Sequence, residues 1–523
     1  MNDALDVIVV GGGIAGMAFA TQLVDRADQQ PVRVRIFSKA AVETSNSFAA
    51  QGGVAAVMRL EDSFEQHVRD TITVGAGRND PDVVRLVVGE GPAMIRGMIG
   101  LGAHFDSDAS GQLQLAREGG HSMARVVHHL DRTGEEIVRV LQARVRSSPN
   151  IEVIEPQRAL DLLIEGEGPD RRSTGVRAMD LRSGDVVDHF ASLVILATGG
   201  AGQVYERTTN PIGATGDGLA MAIRAHVQLR DMAFVQFHPT ALHTTEPGPA
   251  FLISEAVRGA GARLLAPDGR PLMKAIHHMG DLAPRNVIAR AIHREMQRTG
   301  AAHLWLDASP IGVSRFALEF PAIEKRCREI GLVPGRDWIP VVPGAHYMCG
   351  GILTDDRGRT SLNGLLALGE CASTGLHGAD RLASNSLLEA LVIPKRAAEI
   401  AFSSAATHAI RTSRTYRENW LSRRTSTITT RALGTLRHTM SAHVGTIREQ
   451  EGMLHALCII AKLERQVAPV WNRHRWSAEL IDLRDLLAVA RSITSAALAE
   501  PASLGAHYVE VTASQGLRVP HSK

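Results

Sequence analysis

The sequence contains little cysteine for its length, with four residues in 523. Cys327, Cys349, Cys371 and Cys458 are far apart and form no CxxC pair. This spacing argues against a disulfide framework, and against a zinc ribbon or an iron–sulfur site within the chain. We therefore expect no metal site and a protein of a reducing compartment, the cytoplasm.

An excess of charge of one sign is also missing, because 57 Lys and Arg residues face 55 Asp and Glu residues. The net charge of +2 gives no bulk attraction to nucleic acid or to an anionic membrane. The stretch from Val7 to Val24 carries no charge, but Asp3 and Asp6 stand where a signal peptide needs basic residues. Its four glycines also make it a poor membrane-spanning helix. We expect neither membrane nor nucleic acid as a partner.

Glycine is abundant instead, with 49 residues, of which five follow residue 400. This distribution excludes an all-helical bundle for the first 400 residues. It also indicates a backbone that at several points must pack closely against another group, where a side chain would not fit. A chain of this length, with 44% hydrophobic residues, is expected to form two or three domains with large cores.

The N-terminal pattern is strand, glycine turn, helix and strand. It comprises Asp6–Val10, Gly11-x-Gly13-x-x-Gly16, Met17–Val24 and Val32–Phe37. In this context the three glycines predict a dinucleotide site, since they let a pyrophosphate approach the N-terminus of the helix. The second strand is followed by Ser38 and Lys39, and not by the acidic residue that binds the ribose of NAD.

Two further strands favour a long cofactor. Leu193–Ala197 ends in Thr198-Gly199-Gly200, and Gly364–Leu368 is followed by Gly369-Glu370-Cys371. Each turn gives the backbone another close approach to a ligand, which fits FAD better than NAD.

The predicted fold class is α/β, with a Rossmann-like FAD-binding domain, an inserted α+β capping domain and a C-terminal helical domain. Residues 1–235 and 350–405 are assigned to the FAD-binding domain. Residues 236–349 contain more histidine, more proline and shorter segments, and they are assigned to the capping domain. Residues 415–523 are assigned to the helical domain because their apolar residues recur at three to four positions.

Specific motifs identify a family resemblance. The chain resembles the succinate dehydrogenase/fumarate reductase flavoprotein family at Ala50–Gly53, Gln236–Thr240, Ala283–Arg285, His346–Gly351 and Ala383–Glu389. Two further segments, Arg117–Ser122 and Thr374–Ala379, resemble the members that oxidise L-aspartate. The motifs occur in the family's order over nearly the whole chain.

The resemblance implies an FAD site that extends from the Rossmann glycines to the start of a helix near Ser386. Respiratory members attach FAD to a histidine a few residues before AQGG. Asn46 occupies that position here, so we expect non-covalent FAD. The implied cofactor-binding residues are Gly11, Gly13, Ile14, Ala15, Gly16, Ser38, Lys39, Ser45, Asn46, Ser47, Ala50, Gln51, Gly52, Gly53, Thr198, Gly199, Asp217, Glu370, Ser386 and Leu387.

A dicarboxylate substrate must be held by cations at both ends, and the resemblance assigns this task to His238, His346, Arg285 and Arg381, which we expect to be cationic. Arginine binds carboxylates through two donors at once, and imidazole adds a directional donor. In family members that reduce fumarate, the arginine that matches Arg285 donates the proton, and residues matching Glu255 and Arg258 supply it. For amine oxidation we expect Arg285 mainly to orient the substrate.

Glu118 and Ser254 complete the expected catalytic and substrate-binding set. Fumarate and succinate bring only negative charge, so a carboxylate beside the site would repel them. Aspartate also brings an ammonium group, which Glu118 can hold. Ser254 replaces a more usual threonine and keeps its hydroxyl. Ala233, Ala260 and Leu504 replace two glutamates and an arginine that are common in the members that oxidise aspartate.

The activity implied is oxidation of L-aspartate to iminoaspartate (iminosuccinate), with hydride passing from Cα to flavin N5 and with O2 or fumarate reoxidising the flavin. This places the chain in de novo NAD (quinolinate) biosynthesis, with quinolinate synthase as an expected partner. The alternatives are a soluble fumarate reductase or succinate oxidase, a related amino-acid oxidase of a specialised pathway, and a non-catalytic flavin-binding subunit.

Overall fold

The computed structural model describes residues 5–27, 31–405, 414–416, 426–472 and 476–510. The helices are α1 (Ile14–Asp25), α2 (Phe64–Val74), α3 (Pro81–Gly100), α4 (Thr133–Ser147), α5 (Asp217–Arg224), α6 (Glu255–Gly259), α7 (Arg285–Thr299), α8 (Val313–Glu319), α9 (Pro321–Glu329), α10 (Asn385–Ser404), α11 (Thr427–His443), α12 (Gln450–Trp471) and α13 (Ala478–Ala499). The strands are β1 (Leu5–Val10), β2 (Val32–Phe37), β3 (Val54–Ala55), β4 (Leu115–Ala116), β5 (Val126–Val127), β6 (Ile151–Ile154), β7 (Gln157–Glu165), β8 (Arg172–Asp180), β9 (Val186–Phe190), β10 (Leu193–Leu196), β11 (Leu229–Arg230), β12 (Val235–Leu242), β13 (Arg263–Leu265), β14 (Leu304–Asp307), β15 (Ile339–Met348), β16 (Gly351–Leu353), β17 (Leu365–Ala367), β18 (Ala372–Ser373) and β19 (Arg414–Tyr416).

The centre of the molecule is a parallel sheet of five strands in the order β17-β10-β1-β2-β6. Its middle strand is apolar at successive positions because both faces of the sheet are covered. Ile8 and Val10 point into one hydrophobic cluster, and Val7 and Val9 point into the other. The strand–turn–helix pattern at the N-terminus therefore forms β1 and α1 as predicted, and the α/β fold class is confirmed.

The helices on one face include α1, α3, α4 and α10. Helix α3 begins where Asp80-Pro81 predicts a helix entry. The Asp80 side chain accepts hydrogen bonds from the backbone N–H groups of Asp82 and Val83, as an N-cap residue does. Helix α10 packs against α1, and its N-terminus lies on the side of the sheet where the strands end.

The other face is covered by the antiparallel sheet β19-β9-β8-β7 and by the C-terminal helices. Helices α11, α12 and α13 pack on one another, and α13 also packs on α5. Leu486 and Val489 of α13 belong to the same hydrophobic cluster as Leu196 of the central sheet. The helical region thus shares its core with the sheet region. Residues 417–425, 473–475 and 511–523 of the predicted helical domain lie outside the described residues.

The segment expected to form a cap contains the antiparallel sheet β12-β15-β14-β13 and helices α6 to α9. A third hydrophobic cluster lies between Leu242 and Val341 and is built from this segment alone. Strands β12 and β15 pair with each other from Val235↔Met348 to Leu242↔Val341. They connect this cluster with the rest of the molecule, and they carry the motif residues His238 and His346. The domain boundaries themselves stay a prediction.

Among the described residues, no helix is both long enough and apolar enough to cross a bilayer.

Candidate active site

An elongated cleft runs along the carboxyl ends of the central strands, where ligands of parallel α/β sheets bind. It has two lobes, with empty volumes of about 1130 and 800 Å³. The lobes share Gly13, Asn46, Ser47, Ala197 and Gly199, so they are continuous. All but one of the predicted cofactor-binding residues line one lobe or both.

The exception is Gly16, the third glycine of the fingerprint, which lines neither lobe. A Cβ atom on Gly16 would lie 2.1 Å from the carbonyl oxygen of Gly11, so this glycine allows α1 to pack closely on the turn after β1. Gly11 has φ +115°, and a Cβ there would meet the carbonyl oxygen of Ala197 at 2.2 Å. Gly16 thus has a packing role, as is usual for the third glycine, and its contact with the cofactor stays a prediction.

The smaller lobe contains the residues that follow β2. Lys39 Nζ donates to both carboxylate oxygens of Asp217, at 2.9 and 2.7 Å, and to Thr215 Oγ at 2.8 Å. Burial disfavours the ionised form of Asp217, but the charges of Lys39 and Arg158 hold its pKa well below the usual range. An ionised carboxylate therefore lies in this lobe although none follows β2. It comes from the start of α5, 178 residues further along the chain.

The larger lobe is bordered by the loop from Ser45 to Gly53 and by the N-terminus of α10. Ser47 Oγ accepts a hydrogen bond from the backbone N–H of Ile14 at 3.0 Å, which ties this loop to the start of α1. Ser386 and Leu387 lie in the first turn of α10 and line the lobe. The positive end of that helix dipole therefore faces the cleft, where it favours negative charge.

Several buried polar atoms in the larger lobe have no partner within the protein. They are Gln51 Oε1, His238 Nε2 and Arg381 Nε. A buried polar atom without a partner costs about 1–3 kcal/mol, so such atoms at a cleft indicate a polar ligand. Together with the glycine turn, the two helix N-termini and the length of the cleft, they fit an FAD molecule and a polar substrate beside it.

Arg285 and Arg381 lie side by side in the larger lobe and share one partner. Gln236 Oε1 accepts from Arg285 Nη1 at 3.0 Å and from Arg381 Nη2 at 3.2 Å. Gln236 Nε2 donates to Asp380 Oδ1 at 2.6 Å, so its amide is fixed from both sides. Arg381 also donates to Ser386 Oγ at 2.7 Å and stacks on the ring of Tyr347. Two guanidinium groups are thereby fixed in one cleft, where they can bind an anionic ligand.

Behind Arg285 lies a buried chain of ionised groups. Arg285 Nε donates to Glu255 Oε2 at 2.6 Å, and Arg258 Nη2 donates to Glu255 Oε1 at 3.0 Å. Burial raises the pKa of Glu255, but the two guanidinium groups outweigh it and lower that pKa to about 2. Arg258 does not line the cleft, so it reaches the site only through Glu255. Ser254 lines the cleft and caps α6, because its Oγ accepts from the N–H of Ala256.

The rings of His238 and His346 are adjacent, with centroids 5.1 Å apart. Burial, reinforced by the neighbouring arginines, holds the pKa of both imidazoles well below the usual value. The two histidines are therefore neutral near pH 7, and the positive charge of the site comes from the arginines alone. His238 Nδ1 accepts from the backbone N–H of Thr240, so the ring proton is on Nε2, the atom without a partner. Thr209 Oγ lies 2.8 Å from His346 Nδ1 and fixes that ring as well.

Glu118 lies in the same lobe and is 2% exposed. Its Oε2 accepts a hydrogen bond from Ser384 Oγ at 2.6 Å. Burial raises the pKa of Glu118, and the nearby Glu255 raises it further. The site thus places one carboxyl group beside two guanidinium groups, which is the complement of a ligand with two carboxylates and an ammonium group.

The sequence prediction omitted three residues that the structure places in the site: Gln236, Thr209 and Ser384. Gln236 and Ser384 stand inside motifs already recognised by their neighbours, so position within QFHPT and ASNSLLE was an available signal. Thr209 lies in no recognised motif, and its role depends on a contact 137 residues along the chain.

Of the four departures from the family pattern, Ser254 lines the cleft, whereas Ala233, Ala260 and Leu504 do not. Ala233 and Leu504 meet in a small hydrophobic cluster beside the C-terminal helices, where Arg448 donates to the carbonyl oxygen of Ala233. Ala260 caps the C-terminus of α6. None of the three changes a group that faces the ligand. Among the described residues, no three or more His, Cys, Asp or Glu side chains form a group that could hold a metal ion.

Two protein families match the chain. The FAD binding domain family matches residues 6–387, and the fumarate reductase flavoprotein C-terminal family matches residues 434–514. The chain is 42% identical to L-aspartate oxidase 1 of Ralstonia nicotianae over 512 residues, which cover 96% of this chain and 94% of the relative. It is also 42% identical to L-aspartate oxidase of Mycobacterium tuberculosis over 511 residues, which cover 97% and 92%.

Solved structures agree with these matches. E. coli quinol fumarate reductase FrdA superimposes with a TM-score of 0.87 at 29% identity, and the alignment covers 98% of this chain and 92% of that chain. Mycobacterium smegmatis Sdh1 superimposes with a TM-score of 0.79 at 28% identity, covering 97% and 89%.

Proposed function

The chain belongs to the L-aspartate oxidase family of FAD-binding flavoproteins, and on this premise we propose that it oxidises L-aspartate to iminoaspartate in de novo NAD biosynthesis. The observation that carries the proposal is that Glu118 lines the same cleft as Arg285 and Arg381. FAD bound in the cleft supplies the hydride acceptor, N5 of the flavin. The protein's own groups bind the substrate, orient it and exclude water.

In this proposal each charged part of aspartate has its own partner. Arg285 and Arg381 bind the carboxylates, and neutral His238 and His346 donate further hydrogen bonds to them. Glu118 holds the ammonium group, which fumarate and succinate lack. By holding both carboxylates and the ammonium group, these residues would fix the substrate in one orientation beside the cofactor, and such orientation supplies a large part of the rate enhancement of enzymes.

Three further assignments belong to the proposal. FAD is bound non-covalently, since Asn46 and not a histidine lies in the loop beside the cleft. Either O2 or fumarate reoxidises the flavin, and the similarity to E. coli quinol fumarate reductase supports fumarate. The unstable imine gives a reason for proximity to quinolinate synthase. The cytoplasmic location expected from the sequence stays a prediction.

Anaerobic reduction of the bound flavin tests the proposal directly. The protein is reconstituted with FAD, and its visible absorbance is followed after addition of L-aspartate or succinate. We expect L-aspartate to bleach the flavin and succinate to leave it oxidised. Bleaching by succinate alone would identify a succinate oxidase or fumarate reductase. Failure to bind FAD would contradict the cofactor assignment.

Glu118→Gln tests the residue that carries the proposal. We expect kcat/KM for L-aspartate to fall by roughly 10- to 100-fold, because a charge-assisted contact to the ammonium group is lost. Steady-state kinetics with aspartate and with fumarate measure this, and fumarate reduction should not share the loss. Glu65→Gln, an exposed glutamate of α2, is the control. Unchanged aspartate kinetics in Glu118→Gln would refute the assignment.

The same variant has a predicted effect on stability. Because the folded protein raises the pKa of Glu118, its ionisation opposes folding once the pH exceeds the unfolded value. Glutamine does not ionise, so Glu118→Gln should unfold at a temperature no lower than the wild type near pH 7. The difference in its favour should grow from pH 5 to pH 7, which thermal denaturation at both pH values measures.

A further inference from the structure

Ser384 joins three parts of the site through one hydroxyl group. Its Oγ accepts from the backbone N–H of Gly53 at 3.2 Å and donates to Glu118 Oε2 at 2.6 Å. It is also the residue that precedes α10, and it is 5% exposed. The loop beside the cofactor, the Glu118 loop and the helix at the cleft therefore meet at this side chain.

The direction of these hydrogen bonds is fixed by chemistry. A serine hydroxyl has one proton to donate, and the N–H of Gly53 can only donate. The hydroxyl proton of Ser384 is therefore free for Glu118, and Oε2 of Glu118 must be the acceptor. The other oxygen, Oε1, lies on the side of Gly52, where a Cβ would be 3.2 Å from it. The carboxyl group is thus held in one orientation in the cleft.

The backbone at Ser384 is held in an unfavourable conformation to make this contact. Its φ of +62° is in the left-handed region, which costs a residue other than glycine about 1–2 kcal/mol. Two hydrogen bonds hold the segment in place: Ser384 O accepts from Ala55 N at 3.1 Å, and Ala383 O accepts from His121 Nε2 at 2.9 Å. Backbone strain that surrounding contacts maintain in this way is concentrated at functional sites.

We propose that Ser384 is a positioning residue that sets the selectivity of the site for an amino dicarboxylate over an unsubstituted dicarboxylate, by orienting Glu118. This inference rests on the proposed function. In this proposal Ser384 acts through Glu118, to which it donates its hydroxyl proton, so its effect belongs to ligands that carry an ammonium group. A carboxyl group free to rotate would lose its directed contact with that group, whereas the arginines would still bind the carboxylates.

Ser384→Gly is the informative variant, because glycine accepts the left-handed backbone and removes only the hydroxymethyl group. We expect KM for L-aspartate to rise roughly 10-fold or more, as for loss of a hydrogen bond to a charged group. KM for fumarate should change much less, so the ratio of the two KM values is the readout. FAD affinity, measured by quenching of flavin fluorescence, separates this effect from damage to the cofactor site.

A double-mutant cycle completes the test. In the Glu118→Gln background the change Ser384→Gly should add less than twofold to KM for L-aspartate, since its effect has already been lost. An equal loss for aspartate and fumarate, or the same loss with and without Glu118, would overturn the proposal and indicate a purely structural role. If the wild-type flavin is not bleached by L-aspartate, it is the proposed function that fails, because that measurement does not involve Ser384.

Discussion

Arg285→Lys is expected to reduce kcat/KM for L-aspartate by roughly 100- to 1000-fold, the range seen when one oriented donor is removed from a site that stabilises charge. Arg285 donates to Glu255 and Gln236 with two different nitrogens and still faces the cleft. A lysine ammonium group has the charge but lacks this planar arrangement of donors. Steady-state kinetics at saturating FAD measure the loss.

Lysine is the appropriate substitution because it keeps a positive charge beside buried Glu255. Arg285→Gln removes that charge. The resemblance to the family members that reduce fumarate implies that Arg285 supplies a proton in that reaction, so this variant should lower fumarate reduction more than aspartate oxidation. Loss of a general acid typically costs about 100- to 10,000-fold in rate, and this is the additional decrease expected for fumarate reduction.

Arg294→Lys, on the exposed side of the same helix, is the control, and it should leave the rates of both reactions within about twofold of the wild type. Near-normal aspartate kinetics in Arg285→Lys would exclude the proposed role.

The glycine turn at the cofactor end of the site could be predicted because its residues are close in sequence. A glycine turn between a strand and a helix has few three-dimensional solutions, so Gly11 and Gly13 indicate the site directly. Gly16 shows the limit of this reasoning. The spacing predicts that the glycine is required, but only the structure shows that its hydrogen atom faces the carbonyl oxygen of Gly11 and not the cleft.

The charge state of the site could not be predicted. Histidines beside arginines in a motif suggest further cations, yet burial makes His238 and His346 neutral. Burial of a side chain is set by the whole fold. Contacts such as that between Ser384 and Glu118, 266 residues apart, likewise leave no trace in periodicity or spacing. Motifs identified the members of the site, but not the partners of each member.

The C-terminal helices take part in an interaction that the sequence pattern does not predict. Their glycine-poor sequence predicts a helical domain that touches no cofactor, and this domain assignment stays a prediction. In the structure, α13 does not line the cleft, but it contributes Asp482 and Asp485 to a buried network that reaches the smaller lobe. Arg158 Nη1 donates to Asp482 at 2.6 Å, Arg158 Nη2 donates to Asp485 at 3.3 Å, and Nη2 lies 3.9 Å from Asp217. Asp217 is the partner of Lys39 in that lobe.

Arg158→Met is accordingly expected to lower the free energy of unfolding by about 3–5 kcal/mol, the cost of removing one partner from a buried ionic network. Arg158 is 4% exposed and is surrounded by three carboxylates. Chemical denaturation with and without excess FAD measures the loss. FAD affinity should fall as well, because Asp217 loses one of its two positive neighbours. Arg85→Met, which breaks an exposed pair with Asp82, should change stability by less than about 0.5 kcal/mol.

A second substitution distinguishes loss of charge balance from loss of packing. Burial raises the pKa of Asp485 to about 6 even with Arg158 and Arg224 nearby, so loss of Arg158 leaves an ionised carboxylate that is already disfavoured with Arg224 as its remaining cationic partner. Adding Asp485→Asn to Arg158→Met should therefore restore part of the lost stability, whereas a packing defect would remain unchanged. Such a rescue, accompanied by recovered FAD affinity, would mean that a helix more than 250 residues from Asp217 in sequence helps to hold the cofactor. The same stability in both variants would mean that the network contributes through packing alone.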